Sequence, residues 1–212
     1  DLTISAMASA IGLKDDMTSG HSQQVSDLAS ILAQQMKVPK KDVQVIQQAT
    51  VLADVGKLQV AKSILSKEGE LTEGEWMEMQ RHPKLGSKIL TEVLHLSAAG
   101  EIVLAHHERF DGDGYPHGLK GDDIPLGARI YAVADSYIAM TSDRPHRRKM
   151  PHERALREIL RSSMTQFDPD VVRAFVRATE MGLIGPPVES RNGNEFRADS
   201  FVETKLVEPK LS

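Results

Sequence analysis

Apolar residues recur at helical spacing almost throughout this chain, and on those stripes, where a core should be dry, stand His21, Asp54, His82, His106, His107 and Asp135. No stretch keeps the two-residue alternation of a half-buried strand for long, so the spacing predicts an all-α bundle of about seven helices. Residues 21–36 carry His21, Val25, Leu28, Ala29, Leu32 and Met36 on one stripe, which turns His21 inward, and Pro39 closes that helix. The next helix is predicted from an Asp42 N-cap through Val45, Ile46, Ala49 and Leu52 to Gly56, with Asp54 and Lys57 at its C-terminal end. Residues 58–74 read as a loop. Thr72 and Glu75 have the spacing of a capping box, and Pro83, just after His82, restarts the chain as a helix through Leu85, Ile89 and Val93.

Ile102 and Val103 stand four residues ahead of His106 and His107 and give both histidines the inward face. Gly112, Gly114, Pro116, Gly118 and Gly121 make 111–125 an irregular loop. From residue 126 onward, Tyr131, Ala134, Asp135 and Ile138 share a stripe, and Pro151 and then Asp168-Pro169 open two further helices. Periodicity fades beyond about Gly182. That divides the chain into a bundle at 1–182 and a tail or short added element at 183–212.

Composition narrows the chemistry. With 212 residues and 40% apolar content the chain can bury one full core. Its net charge of −4 offers no basic surface for tracking a polymeric nucleic acid, although a small phosphate ligand needs only local positive charge. No long apolar run and no signal-peptide pattern occur, which predicts no membrane contact by this segment and a cytoplasmic setting. The chain opens at Asp1 rather than a methionine and reads as a piece of something longer. It contains no cysteine, so any metal must be held by His, Asp and Glu.

One histidine on an apolar stripe is commonly a satisfied core residue, and Asp54 or Asp135 alone would serve as a cap or half of an ion pair. His95, His117, His146 and His152 fall in loops or beside charges and read as mostly exposed. Six inward polar groups from five helical segments are another matter, because burying them without a shared partner costs too much. A metal cluster satisfies them together. Mixed imidazole and carboxylate donors without sulfur favour Mn, Fe or Zn, and an octahedral preference points to Mn or Fe.

The motifs HSQQV at 21–25, ADVGK at 53–57, RHPKLG at 81–86, HHERFDGDGYPHGL at 106–119, IPLGARIYAVADSYIAMTSDRPHR at 124–147 and FDP at 167–169 carry a resemblance. Together they resemble the HD-GYP family, a branch of the HD phosphohydrolase superfamily whose members hydrolyse cyclic di-GMP. The resemblance runs from about His21 to Phe175 and implies an HD-type helical bundle around two divalent metal ions. It implies a first metal held by His21, residue 53, Asp54 and Asp135. A second would be held by a bridging Asp54 with His82, His106 and His107. Lys57 matches the catalytic lysine, the bridging Asp54 is counted with it as catalytic, and Arg144 looks like a phosphate or guanine contact. Tyr115 and its loop are expected to shape the pocket mouth or a partner surface.

Two positions depart from that pattern. Ala53 stands where the family has a histidine, and Met17 stands where some relatives have a glutamate supporting a third metal. Losing even an outer partner of a metal ligand costs about 10- to 100-fold in affinity or activity, so reduced turnover is expected. The favoured expectation is hydrolysis of cyclic di-GMP to pGpG, with slow further cleavage to GMP. The alternative is a catalytically silent module that binds cyclic dinucleotide or docks a partner such as a diguanylate cyclase (GGDEF) domain. A mononucleotidase of HD type is less favoured, because the HHERFDGDGYP element is special to the cyclic-dinucleotide branch. Ala53 reads either as natural divergence or as a substitution that traps ligand.

Overall fold

A computed structural model describes residues 2–14, 20–143 and 148–185. Met17, Arg144, His146 and everything beyond 185 lie outside the described residues. The described chain is all-α: α1 (Leu2–Lys14), α2 (His21–Gln35), α3 (Lys40–Leu52), α4 (Lys62–Leu65), α5 (Glu73–Met79), α6 (His82–Thr91), α7 (Ser97–Ala105), α8 (Leu126–Thr141), α9 (His152–Arg161) and α10 (Pro169–Glu180). Short 3-10 turns at Val55–Gln59 and Gly121–Asp123 link them.

The stripe expected on α2 is buried as a unit, with His21, Val25, Leu28, Ala29 and Leu32 all inside. Helix α2 packs on α3, α8 and α10, while α6 packs on α7 and α3 also reaches α7. Leu32, Leu52, Leu90, Ile130, Ile159 and Phe175 fill the space between them and are fully buried. Each such side chain contributes about 1.5–3 kcal/mol when taken out of water.

Helix boundaries follow local chemistry. Helix α2 ends where Lys37 adopts φ 59°, and the amides of Lys37 and Val38 satisfy the carbonyls of Gln34 and Ala33. Pro39, with φ −57° and ψ 143°, then caps α3. The expected Asp42 cap is therefore displaced: Asp42 lies inside the first turn, where its charge still suits the helix dipole. Thr72 and Glu75 do form the capping box that starts α5. Residues 58–74, expected as a loop, contain the turn of helix α4. Helix α1, unassigned from spacing, buries Ile11 and reaches the 55–59 turn through a Lys14 Nζ bond to the Leu58 carbonyl. Asp168 caps α10 by accepting from the Asp170 amide, and Arg129 of α8 donates to the same carboxylate at 2.7 Å.

The contact that matters most for the interior is between the 55–59 turn and α6. Gly56 lies so close to α6 that a Cβ there would overlap the His82 carbonyl oxygen and reach the Gly86 amide nitrogen at 2.6 Å. Only glycine permits that approach, which brings Asp54 and Lys57 up to His82. Gly56→Ala is expected to lower apo-protein stability by about 1–3 kcal/mol in urea unfolding, since backbone rather than a side-chain tip must move. Gly74→Ala, where nothing lies within 4 Å of the added methyl, should be neutral or stabilising by up to about 1 kcal/mol.

Candidate metal centre

His82 opens α6, His106 follows the last residue of α7, and His107 comes next in the chain. Their ligand atoms lie within 4.8 Å of one another, the one such donor group among the described residues. His82 and His106 are 1% and 3% exposed. The His82 Nδ1–H donates to the Met79 carbonyl at 2.7 Å, and the His106 Nδ1–H donates to the Val103 carbonyl at 2.6 Å. Those bonds place each ring's proton on Nδ1 and leave both Nε2 atoms as bare acceptors, 3.2 Å apart. Two lone pairs at that distance repel unless a cation lies between them. Ring orientation by a backbone carbonyl is also how metal-ligating histidines are commonly held.

Protonation does not supply that cation. Burial, reinforced by His106, pulls His82 down to about 4 despite the opposing charge of Asp54. Burial likewise lowers His106, and His107 is driven well below the ordinary histidine range by burial and by its two histidine neighbours. All three are neutral donors near pH 7. The donor set fits a borderline divalent metal.

Asp54, the residue after the C-cap of α3, brings its Oδ1 within 3.8 Å of His82 Nε2, while its Oδ2 pairs with Lys57 Nζ at 3.1 Å. Burial alone would raise the Asp54 carboxyl, but neighbouring positive charge, chiefly the Lys57 ammonium that also hydrogen-bonds it, outweighs burial and holds it below the ordinary value. It is an anion beside neutral imidazoles. His21, at the start of α2, meets Asp135 of α8 at 3.0 Å. Ala53 is 3% exposed and contributes only a methyl group next to Asp54. His21, Asp54 and Asp135 form no convergent donor group among the described residues. The structure thus brings His82, His106, His107, Asp54 and Lys57 together and joins His21 to Asp135, whose carboxylate lies near enough to act on His106.

Tyr115 stacks on His107 with centroids 4.8 Å apart and rings inclined by 25°. Burial pushes its hydroxyl up to about 12, so it remains a neutral phenol. The loop is held by Glu108, for which sequence spacing announced no role. Its carboxylate is buried and accepts the amides of His117 and Leu119 at 2.7 and 3.0 Å. Gly114 is obligatory, because a Cβ there would meet the Glu108 Cα at 2.5 Å. The Tyr115–Pro116 peptide is cis. Tyr131, missed as more than a core ring, meets His106 edge-on at 5.3 Å. His95 and His117 are exposed as expected, whereas His152 is half-buried and receives Tyr137 through a 2.8 Å hydrogen bond. No sequence spacing announces that bond.

An all-α bundle in which three histidines converge, two of them buried and an aspartate beside them, offers a site fit for a divalent metal. Residues 5–171 match the family model described as HD domain. The chain belongs to the HD domain family, in the HD-GYP branch that its motifs resemble. It is 39% identical over 177 residues to the cyclic di-GMP phosphodiesterase response regulator RpfG of Xanthomonas campestris, covering 82% of this chain and 47% of that protein. It is 42% identical over 168 residues to a cyclic di-GMP phosphodiesterase of Thermotoga maritima, covering 77% of this chain and 45% of that one. A 3'3'-cGAMP-specific phosphodiesterase of Vibrio cholerae is 34% identical over 178 residues, with 84% and 39% covered. The chain spans a little under half the length of these curated relatives.

Among solved structures, a Vibrio cholerae cyclic GMP-AMP phosphodiesterase, V-cGAP3, shares the fold with a TM-score of 0.62 at 19% identity, covering 84% of this chain and 48% of that one. Bd1817 of Bdellovibrio bacteriovorus does so at 0.60 and 18%, covering 76% and 52%. No described helix is long and apolar enough to cross a membrane.

The lowered histidines make apo-protein stability depend on pH with a definite sign. Below about 6.5, the ordinary histidine value, the unfolded chain takes up protons that the buried rings refuse. Apo stability is therefore expected to be full above about 6.5 and to fall as pH drops toward about 4. The slope should approach ~1.4 kcal/mol per pH unit for each ring that stays neutral. Urea unfolding at stepped pH measures this, and His107→Gln should flatten the slope.

Proposed function

We propose that this segment hydrolyses cyclic di-GMP to pGpG at a metal centre built on His82, His106, His107 and Asp54, and that Ala53 weakens it. The observation that carries this reading is the pair of acceptor Nε2 atoms 3.2 Å apart, each with its Nδ1–H tied to a backbone carbonyl. Divalent ions, Fe or Mn by donor type, would supply an activated water and offset charge on the phosphate oxygens. His82, His106, His107 and Asp54 would hold one ion. His21, Asp54 and Asp135 would hold a second less firmly, for lack of a donor at residue 53.

The chain's own groups do the rest. Lys57, paired with Asp54, sets a positive charge beside the phosphate and the departing oxygen. Tyr115 closes one side of the centre over His107. Arg144 is assigned to a phosphate or guanine on its planar fork and its motif. The names of relatives cover both cyclic di-GMP and 3'3'-cGAMP, so a mixed cyclic dinucleotide is the neighbouring substrate class. Slow cleavage of pGpG on to GMP belongs to the same chemistry.

Ala53 favours one second reading: a binding module that holds cyclic dinucleotide without turnover and offers the Tyr115 loop to a diguanylate cyclase (GGDEF) domain. Metal analysis and product analysis of this chain and of Ala53→His, each loaded anaerobically with Mn²⁺ or Fe²⁺, decide between the two. The expected result is about one tightly held ion in the chain as it stands and two in Ala53→His, with turnover rising roughly 10- to 100-fold. Silence in both versions, with cyclic di-GMP still bound, would establish the binding module instead.

A further inference from the structure

Three aromatic rings run outward from the buried histidines. His107 stacks on Tyr115, and Tyr115 meets Trp76 edge-on, with centroids 6.1 Å apart and planes at 74°. Trp76 is the only tryptophan in the chain, and it is 46% exposed. An edge-on contact, unlike a parallel stack, does not cover the faces of both rings.

Both ends of this row are fixed by the same backbone that fixes the histidines. Trp76 lies on α5, whose start is set by the Thr72–Glu75 capping box and by Lys67, which pairs with Glu75 at 2.5 Å. Gln80 and Arg81 then lead straight into His82. On the other side, the Tyr115 amide donates to the His107 carbonyl at 3.2 Å, and Glu108 holds the following turn by two amides. A half-exposed indole so placed presents an apolar surface at the outer end of a row whose inner end is His107, with Tyr115 between them. Phosphate chemistry on one side and an aromatic face on the other is how nucleotides are held, because every base has a π-face and stacking needs no base-specific hydrogen bond.

We infer that Trp76, backed by Tyr115, is the surface on which one purine of a bound cyclic dinucleotide stacks while the phosphate lies against Lys57 and the histidine centre. This rests on the cyclic-dinucleotide reading above and adds a base-binding residue to it. Trp76 touches substrate through the base and takes no part in bond breaking.

Its single indole makes the test direct. Metal-loaded protein is titrated with cyclic di-GMP, following tryptophan fluorescence and, separately, heat of binding. Fluorescence should change on addition of cyclic di-GMP and stay constant with inorganic phosphate. Trp76→Ala should keep its metal content and weaken cyclic di-GMP binding about 5- to 150-fold, the range expected for one stacked base. Trp76→Phe should recover most of that loss, since a smaller ring still stacks. Unchanged affinity in Trp76→Ala, with binding by the parent chain intact, overturns the stacking surface and leaves the proposed function standing. An equal loss of phosphate and cyclic di-GMP binding also overturns it, by showing that Trp76 only props Tyr115. No cyclic di-GMP binding by the parent chain overturns the function and the stacking surface together.

Discussion

Imidazole nitrogens can be buried among apolar helices only if each finds a partner, and at His82 and His106 half of that requirement is met by the protein and half is not. Each ring gives its Nδ1–H to a carbonyl three residues earlier, so each is locked in one tautomer and one orientation. What remains is a pair of lone pairs aimed at the same point. Burial keeps protons off them near neutral pH. The rest of the interior is arranged around that point: His107 and Tyr131 wall it, Asp54 brings negative charge, and Lys57 balances Asp54.

Such an arrangement requires distant segments to arrive in register. Gly56 does this for the carboxylate side, because a chain without a side chain there can lie against α6. Glu108 does it for the aromatic side. Sitting next to His107 in sequence and itself buried, it gathers the amides of His117 and Leu119, which bends the glycine-rich segment back so that Tyr115 covers His107. Arg129 ties the same region to α10 by bridging Asp122 and the Asp168 cap. The candidate donor side chains thus ride on helix ends, while loop backbone held by carboxylates borders them.

Ala53 lies in this setting. Among His21, Asp54, Asp135, Lys57 and the three clustered histidines, residue 53 contributes no donor atom, and its methyl is buried beside Asp54. His21 and Asp135 then satisfy one another at 3.0 Å. The two halves of the site are unequal: one is a convergent set of nitrogens, the other a hydrogen-bonded His21–Asp135 pair. The aromatic row ending at Trp76 belongs to the convergent half.

Much of this was legible in the sequence, because helical periodicity and inward polar residues are local facts. The stripes on α2 and α8, the Thr72–Glu75 box, the starts of α9 and α10, and the candidate donors all follow from spacing. Local signals failed where neighbours compete: Pro39 took the cap expected of Asp42, and α4 formed where no stripe marked it. By itself the sequence determined that the chain is helical, that without cysteine any metal must be held by imidazole and carboxylate, and that residue 53 offers no donor side chain. Only the tertiary structure decided which donors converge, that Glu108 serves the loop and not the metal, and that Trp76 stands beside Tyr115. Those are distances between residues far apart in the chain, set by the packing of α5, α6 and α7, and periodicity along a single helix carries no information about them.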